Sequence, residues 1–521
     1  MSRRRPPPPS RLDRVINFLS PRWGLNRAAA RMRLELAAQY RGSETTRLLS
    51  DWITSSLAGS TPLKYELETL RQRSQELNRN DPVAAAATDT LMVNVIGQGL
   101  KPQSRLRAEA LGISEDEAQE LRRRAESVFE AWQPQADASA RLNFAGLQAL
   151  AFRKVVEDGE IIANLPMLPD AWRPLKRAVE LVEGERLETP YGKAGAGIYQ
   201  GVELGEDLKE PRKYWIRKAG ITRNDYELPR REWVGLPARD SRGRPLILHV
   251  YPLKRPGQIR GIPFFAPALT HFRYLGDYLS AEVVAAKLAA CLAVFITVND
   301  PMLGAQAAAT GTDSASGKGL EYIEPGMIQR LKPGEGINVL EQKRGGETFS
   351  TFLEGVLRIL GVSLGLPYEL LLKDFSKTNY SSARAALLEA RRWFTFLRAW
   401  FAAAFCQPVW DLVLEEAYLR GQFAAPDFYA QRAELCRVQW IGGGWGWVDP
   451  VKEVQSSIDA INAGLSTHAK EIAGQGEDWE ETFDQLVREQ KYAQALNLSF
   501  TAPAPKVPGA APEGGEDAQT Q

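Results

Sequence analysis

The sequence predicts an α+β protein, and three observations carry that prediction. Apolar residues recur at three- and four-residue steps up to about Asp158, then again from Pro267 onward. Between Asp158 and Tyr251 the texture changes to short, β-branched or alternating runs punctuated by Gly and Pro. No helix of useful length separates those runs, so the sheet is antiparallel and not doubly wound.

The elements follow in order. From Ser43 the pattern is helical through "SLAGSTPLKYELETLRQRSQELNRNDPVAAAATDTLMVNVIG", where Asp81–Pro82 supplies a helix start and Gly97 a stop. "SEDEAQELRRRAESVFEAWQ" is amphipathic: Ser114 caps it, Glu117 completes a capping box, and Leu121, Ala125, Val128, Phe129 and Trp132 form its stripe. Strands are expected in "EIIANLPML", "RAVELVEGERL", "GIYQGVEL", "RKYWIRKAG" and "PLILHVYPL". "PALTHFRYLGDYLSAEVVAAKLAACLAVFITV" reads as one long helix, followed by a looser stretch from Asn299 to Gly346 with turns and a few strands. "FSTFLEGVLRILGVSLGLP" is helical until Gly365 and Pro367 stop it. A long helical stretch runs from Ser381 to Leu419, with Ser381 as N-cap and a kink at Pro408. Beyond the turn-rich "WIGGGWGWVDP", two or three helices reach Leu498.

Composition narrows the class. A chain of 521 residues suggests roughly three domains. Its 44% hydrophobic and 25% charged residues are those of a soluble protein. The net charge of +1 conceals an asymmetry: eleven arginines face only Asp13, Glu35 and Glu44 in the first 47 residues, while "PAPKVPGAAPEGGEDAQTQ" ends the chain acidic and is expected to be disordered. Cys291, Cys406 and Cys436 lie in apolar stretches without a C-x-x-C pair, which argues for buried thiols, a reducing compartment and no zinc site. "VINFL" is too short for a signal-peptide core, and "LAACLAVFI" falls short of the ~20 residues a bilayer span needs.

Three stretches imitate catalytic motifs. "GVSLG" (Gly361 to Gly365) fits the nucleophile elbow, yet helical spacing precedes the serine where a strand is required. "GTDSASGKG" resembles a phosphate loop, with five residues between its glycines where the motif has four and Gly319 in place of Ser or Thr. "NYSSARAALLEARRWF" gathers Tyr380, Ser381, Ser382 and Arg384 with no histidine nearby, and reads as a helix start. Arg384 and Arg391 share one stripe of that helix as solvated charge, interface ion pairs or phosphate contacts. Trp440, Trp445 and Trp447 around "GGG" could stack bases, but anchoring a glycine-rich turn is the favoured reading. No paired-acid arrangement supports two-metal chemistry. No catalytic, metal or cofactor site is expected.

Several stretches together resemble the lambda-type portal proteins of tailed bacteriophages. "YRGSETTRLLSDW", "EDGEIIANLP", "GVELGE", "HVYPLKRPGQIRGIPFFAPAL", "LKPGEGINV", "LGLPYELLLKDFSKTNYSSARAALLEARRWF", "FCQPVWDLVLEEAYLRG" and "WVDPVKEVQSSIDAINAGLST" occur in that family's order, over roughly Tyr40 to Leu498.

The resemblance implies a non-enzymatic ring, normally of twelve copies, at one capsid vertex, through which double-stranded DNA enters at packaging and leaves at infection. It implies an α/β wing, long stem helices, a small α/β clip and a helical crown. Here these map to a basic arm (1–45), wing (46–265), stem helices (266–372) with the clip at about 299–348, tunnel loop and crown (373–500), and tail (501–521). Implied partners are the terminase large subunit, the major capsid and scaffold proteins, and head-completion and tail proteins, with no membrane. The expected location is the virion, and the host cytoplasm during assembly. "LLKDFSKTNYS" lies where the family's tunnel loop is expected, which makes Lys373 and Lys377, with Arg384 and Arg391 beyond, the candidate residues facing DNA. A nearly neutral chain suits passage over capture, because many phosphate contacts bind DNA tightly. The alternatives are a nuclease subunit of the packaging machine, or another ring-forming virion adaptor.

Overall fold

The computed structural model describes residues 63–193, 197–207, 210–218, 232–290, 294–298, 335–339, 346–446, 449–496 and 498. The basic arm, the acidic tail, "GTDSASGKG", Cys291 and Trp447 lie outside these residues.

Helix α1 (Leu63–Asn80) meets α2 (Pro82–Val95) at Asp81, whose carboxylate accepts from the N–H groups of Val83 and Ala84 at 2.8 and 3.0 Å. The buried side of α1 is mainly polar: below Leu67 it carries Arg71, Ser74 and Asn78. These answer groups at the end of the long helix opposite. Ser74 donates to the carbonyl of Glu157, and Arg71 reaches Glu160 at 2.8 Å.

After strand β1 (Lys101–Ser104) and a short turn, α3 (Ala108–Leu111), comes α4 (Glu115–Trp132). Its Ser114–Glu117 capping box is formed, and Ala125, Val128, Phe129 and Trp132 are buried as the stripe predicts. Helix α5 (Phe144–Asp158) ends at Gly159, where φ is +89°. A Cβ there would lie 2.3 Å from the carbonyl carbon of Ile262, so both torsion and space demand glycine.

The middle region forms two small antiparallel sheets. In the first, β2 (Ile161–Asn164) sits between β3 (Glu180–Glu183) and β8 (Ile247–Val250). In the second, β4 (Ile198–Tyr199), β5 (Val202–Leu204), β6 (Pro211–Arg217) and β7 (Trp233–Pro237) pair in sequence order. Every stretch expected to be a strand is one. β7 was not expected, because "WVGLP" ends in residues that read as a turn.

The long helix after the sheets is shorter than its apolar pattern suggests. Helix α6 (Leu269–Ala290) stops, and β9 (Val294–Val298) pairs antiparallel with β10 (Glu335–Val339). The expected continuation of one helix through "FITV" to Val298 is therefore corrected. "VFITV" is β-branched and aromatic, and five such residues serve a strand as well as a helix until a partner strand decides.

Helix α7 (Gly346–Leu364) runs beside α6, where Tyr278 meets Phe349 and Phe352 at ring distances of 5.8 and 4.7 Å. "GVSLG" is the end of this helix, and the Ser363 hydroxyl donates back to the carbonyl of Leu360. After α8 (Tyr368–Leu372) comes α9 (Tyr380–Phe401). Its N-cap is Asn379, whose side chain accepts from the N–H of Ser382 at 2.9 Å. Ser381 lies inside the first turn, so the expected cap moves two residues back. A five-residue π-helical stretch, Ala402–Cys406, leads into α10 (Gln407–Leu419) near Pro408.

Helix α10 clasps the sheet region. The Glu416 carboxylate accepts from the N–H groups of Lys176 and Arg177 at 2.6 and 2.8 Å, while Trp410 packs on Phe129 with centroids 5.0 Å apart. Phe144 and Phe405 stack beside them. After α11 (Arg432–Leu435), β11 (Val438–Ile441) pairs antiparallel with β1 and joins the two ends of the folded body. Neither short strand was expected. Helices α12 (Pro450–Asn462), α13 (His468–Gly474) and α14 (Trp479–Ala495) follow, capped by Asp449, Thr467 and Asp478. Cys406 and Cys436 are free and buried as expected, and burial pushes the Cys436 thiol up to about 12.

Candidate nucleic-acid interface

The loop between α7 and α9 is a compact, self-bonded turn. Gly365, at φ +70°, ends α7 and Pro367 starts α8. Lys373 then closes α8 in the left-handed region at φ +56°, its N–H bonded to the carbonyl of Glu369. Asp374 accepts from the N–H of Ser376 at 2.9 Å, and the Thr378 hydroxyl donates to Glu369 at 3.2 Å. The backbone is thus tied to α8 from both sides, while Lys373 and Phe375 stay exposed.

The four candidate cations divide by partner. Lys377 pairs with Glu354 on α7; the hydrogen bond between them raises the ammonium pKa and lowers that of the carboxyl. Arg384 lies 3.9 Å from Glu453 on α12. Arg391 donates to the carbonyl of Gly446 at 2.9 Å, its guanidinium 5.9 Å from the Trp445 ring. Lys373 alone among the four has no side-chain hydrogen bond or ion pair to another described residue. Three of the four are therefore engaged within the chain, and Arg384 and Arg391 line one groove together with Glu453. Around the loop, Arg358, Lys373 and Lys377 stand against Glu354, Glu369 and Asp374, three charges of each sign. Such a balance neither concentrates phosphates nor repels them strongly.

The tryptophans anchor the glycine-rich turn. Trp440 packs on Phe129 and Trp410, with centroids 6.0 and 6.3 Å apart. Trp445 lies against Arg398, whose guanidinium is 4.7 Å from its ring. Arg398 also donates to the carbonyls of Val95, Asn94 and Gly443, at 3.0, 3.0 and 3.1 Å. One cation therefore caps the end of α2 and holds the turn. A Cβ on Gly442 would fall 2.4 Å from that guanidinium carbon, so a side chain there would have to displace Arg398 from these bonds.

The most highly charged buried group was not singled out from sequence. Glu160, fully buried, bonds Arg71, Arg260, His249 and the N–H of Gly261. Burial alone would raise its pKa, but Arg260, His249 and Arg71 hold it well below the usual carboxylate range. Burial keeps His249 neutral despite its bond to Glu160. With both carboxylate oxygens committed to protein donors, this is a structural hub tying α1, β2, β8 and the 258–261 segment. "EDGEIIAN" and "PGQIRGIPFF" each carry one half of it, but nothing in spacing alone pairs positions a hundred residues apart.

Among the described residues no group of His, Cys, Asp and Glu could hold a metal ion, and no helix is long and apolar enough to cross a membrane.

Comparison with known proteins places the chain. Residues 45–398 match the model of a family described as phage portal protein, lambda family. The probable portal protein of Halomonas phage phiHAP-1 is 24% identical over 482 residues, covering 90% of this chain and 89% of that protein. The portal protein of Escherichia phage N15 is 26% identical over 487 residues, covering 87% and 89%. A chain from the neck of an empty GTA particle computed with C6 symmetry is 14% identical, with coverage of 83% and 98% and a TM-score of 0.41.

Proposed function

The chain belongs to the lambda family of phage portal proteins, and from that premise we propose that its copies close into a ring at one capsid vertex. The ring would be the channel through which double-stranded DNA is packaged and ejected. One observation carries the reading. The family match spans residues 45–398, and relatives named as portal proteins align over nearly nine-tenths of both chains.

We assign the wing to 46–265, the stem to α6 and α7, the clip to the segment between them, and the crown to the C-terminal helices. The Tyr278 contacts between α6 and α7 and the β9–β10 pair support the stem and clip. The clip would begin with β9 at Val294, earlier than the sequence suggests. Twelve copies, docking of terminase and later of head-completion and tail proteins, and contact with capsid and scaffold belong to the same proposal, as does residence in the virion after assembly in the host cytoplasm. No catalytic role is assigned to any residue.

At the loop, we assign Lys373 to the DNA path. Lys377, Arg384 and Arg391 are assigned to holding the loop and the α9 surface, because each has a partner in the chain. Particles assembled with Lys373→Ala should package less DNA, whereas packaging at the normal level would remove this assignment. The parent reading is tested by negative-stain imaging of the purified full-length protein. Rings with a central hole are expected. A monomer that turns over ATP or cleaves DNA would overturn it.

A further inference from the structure

Where α9 passes into α10, the helix carries five π-helical residues, and the N–H of Gln407 donates to the carbonyl of Ala402. Pro408 has no N–H for the carbonyl of Ala404. Single π-turns of this kind concentrate at functional sites. Ala404, Pro408 and Asp411 follow at four- and three-residue steps, so they share one helix face. That face forms one wall of a cavity of about 520 Å³, and Tyr214, Ile247 and His249 of the two sheets line the opposite wall. The volume lies within the range of roughly 300–1,000 Å³ typical of small-ligand sites.

Most charged groups around this cavity are already committed. Arg432 pairs with Glu415 at 3.2 Å, and Arg239 donates to the carbonyl of Gly243 at 2.9 Å and lies 4.0 Å from Glu210. The Nε2 of His249 is held by Glu160. Besides the Nε of Arg432, which is buried without a hydrogen-bond partner among the described residues, and the second ring nitrogen of His249, two polar groups are not fully used. Tyr214 is 5% exposed, and among the described residues its hydroxyl has no hydrogen-bond partner. Asp411 uses one oxygen, which accepts from the Gln407 amide at 2.8 Å. Its second oxygen has no such bond among the described residues. Burial raises the Asp411 pKa, opposed by the Gln407 bond and by the charge of Arg432. Both positions can accept hydrogen bonds, and Ala404, Pro408 and Ile247 supply the apolar part of a lining that also carries Arg239, Arg432 and Glu210. A ligand that fits brings N–H donors, positive charge and a short aliphatic stem.

We propose that this cavity binds an alkylammonium group, its N–H donors shared between Asp411 and Tyr214 and its methylenes lying along Ala404, Pro408 and Ile247. A free diamine and the lysine side chain of a polypeptide both present that group. The inference does not depend on ring formation.

Isothermal titration of the full-length protein with putrescine, N-acetyl-lysine methylamide and 1-butanol tests it. At least one amine should bind saturably, and the alcohol should not. Binding of the lysine derivative alone identifies a polypeptide side chain as the ligand, and binding of putrescine alone a free diamine. Asp411→Asn should weaken amine binding by about tenfold or more, since a charge-assisted bond becomes a neutral one. Ala404→Leu, which fills the space without touching a charge, should abolish it, and melting curves of both variants check that they fold. If neither amine binds the wild-type protein, or if folded Asp411→Asn and Ala404→Leu both bind like wild type, the proposal is wrong.

Discussion

The body of the protein and its three C-terminal helices are built by different means. In the body, α4, α5 and α10 bury whole faces around Phe129, Phe144 and Trp410. In the described part of 450–496, only Ala493 is buried. Helices α12 to α14 have sound caps, yet Val451 and Leu465 are each 80% exposed and Ile458 is 46% exposed. Caps and local pairs contribute about 1 kcal/mol or less apiece, so isolated helices of this length are marginal. Helical structure in the two regions therefore does not mean equal stability. One is held by packing, while the other rests on caps and a few contacts, with an apolar stripe still uncovered.

The largest expected effects break the body and spare the C-terminal helices. Glu160→Ala leaves Arg71 and Arg260 buried without their carboxylate, which should cost about 3–5 kcal/mol. Phe129→Ala opens a cavity between Trp132, Phe144 and Trp410 and should cost a similar ~3–5 kcal/mol. Val451→Ala, on the exposed stripe, should change the stability of the unassembled chain by no more than about 0.5 kcal/mol. Denaturant unfolding measures all three. Comparable losses for Phe129→Ala and Val451→Ala would erase the contrast.

A smaller effect separates the regions by the sign of their pH response. In the body, burial keeps His249 neutral when folded, so the unfolded chain alone takes up a proton below about 6.5 and stability falls with acidification. Glu160 acts in the same direction: its folded pKa is depressed, so its contribution is lost as pH falls through that value. Where α14 meets the body, the order reverses. Burial raises Glu126 to about 7, opposed by its bond from the N–H of Ser104 and reinforced by Asp478, Glu480 and Glu481. Its folded pKa exceeds the ordinary 4.5, so the contribution is present at low pH and lost as pH rises through about 7. Hydrogen exchange should show α14 amides better protected at pH 6 than at pH 8. Glu126→Gln should flatten that difference. An unchanged difference in the variant would mean that Glu126 is not its source.

The legibility of these features tracks the range over which each is decided. The Ser114–Glu117 box, the Gly365 stop and the five expected strand stretches are local matters of capping, torsion and alternation, and they stand where the sequence puts them. The four-residue pair β1–β11 joins Lys101 to Ile441, and the Glu160 hub joins positions 71, 160, 249 and 260. Such pairings are settled only by the assembled fold. At the candidate interface the sequence placed Lys373, Lys377, Arg384 and Arg391 correctly on one loop and one helix. It could not show that three of them are already engaged, because Glu354, Glu453 and Gly446 come from other elements.

The most local effect concerns the start of α9, where sequence and structure name different caps. Both Asn379 and Ser381 belong to residue types favoured at that position, so propensity alone does not choose between them. The structure does: Asn379 has extended backbone, φ −74° and ψ 161°, and its side chain accepts from the N–H of Ser382, while Ser381 is already helical. Asn379→Ala should therefore destabilise the helix start by about 1 kcal/mol. Ser381→Ala should be neutral or slightly stabilising, since alanine is the better residue inside a first turn. Local exchange rates at Ser382 and Ala383 would read the difference directly, and a larger loss from Ser381→Ala would return the cap to the position the sequence first suggested.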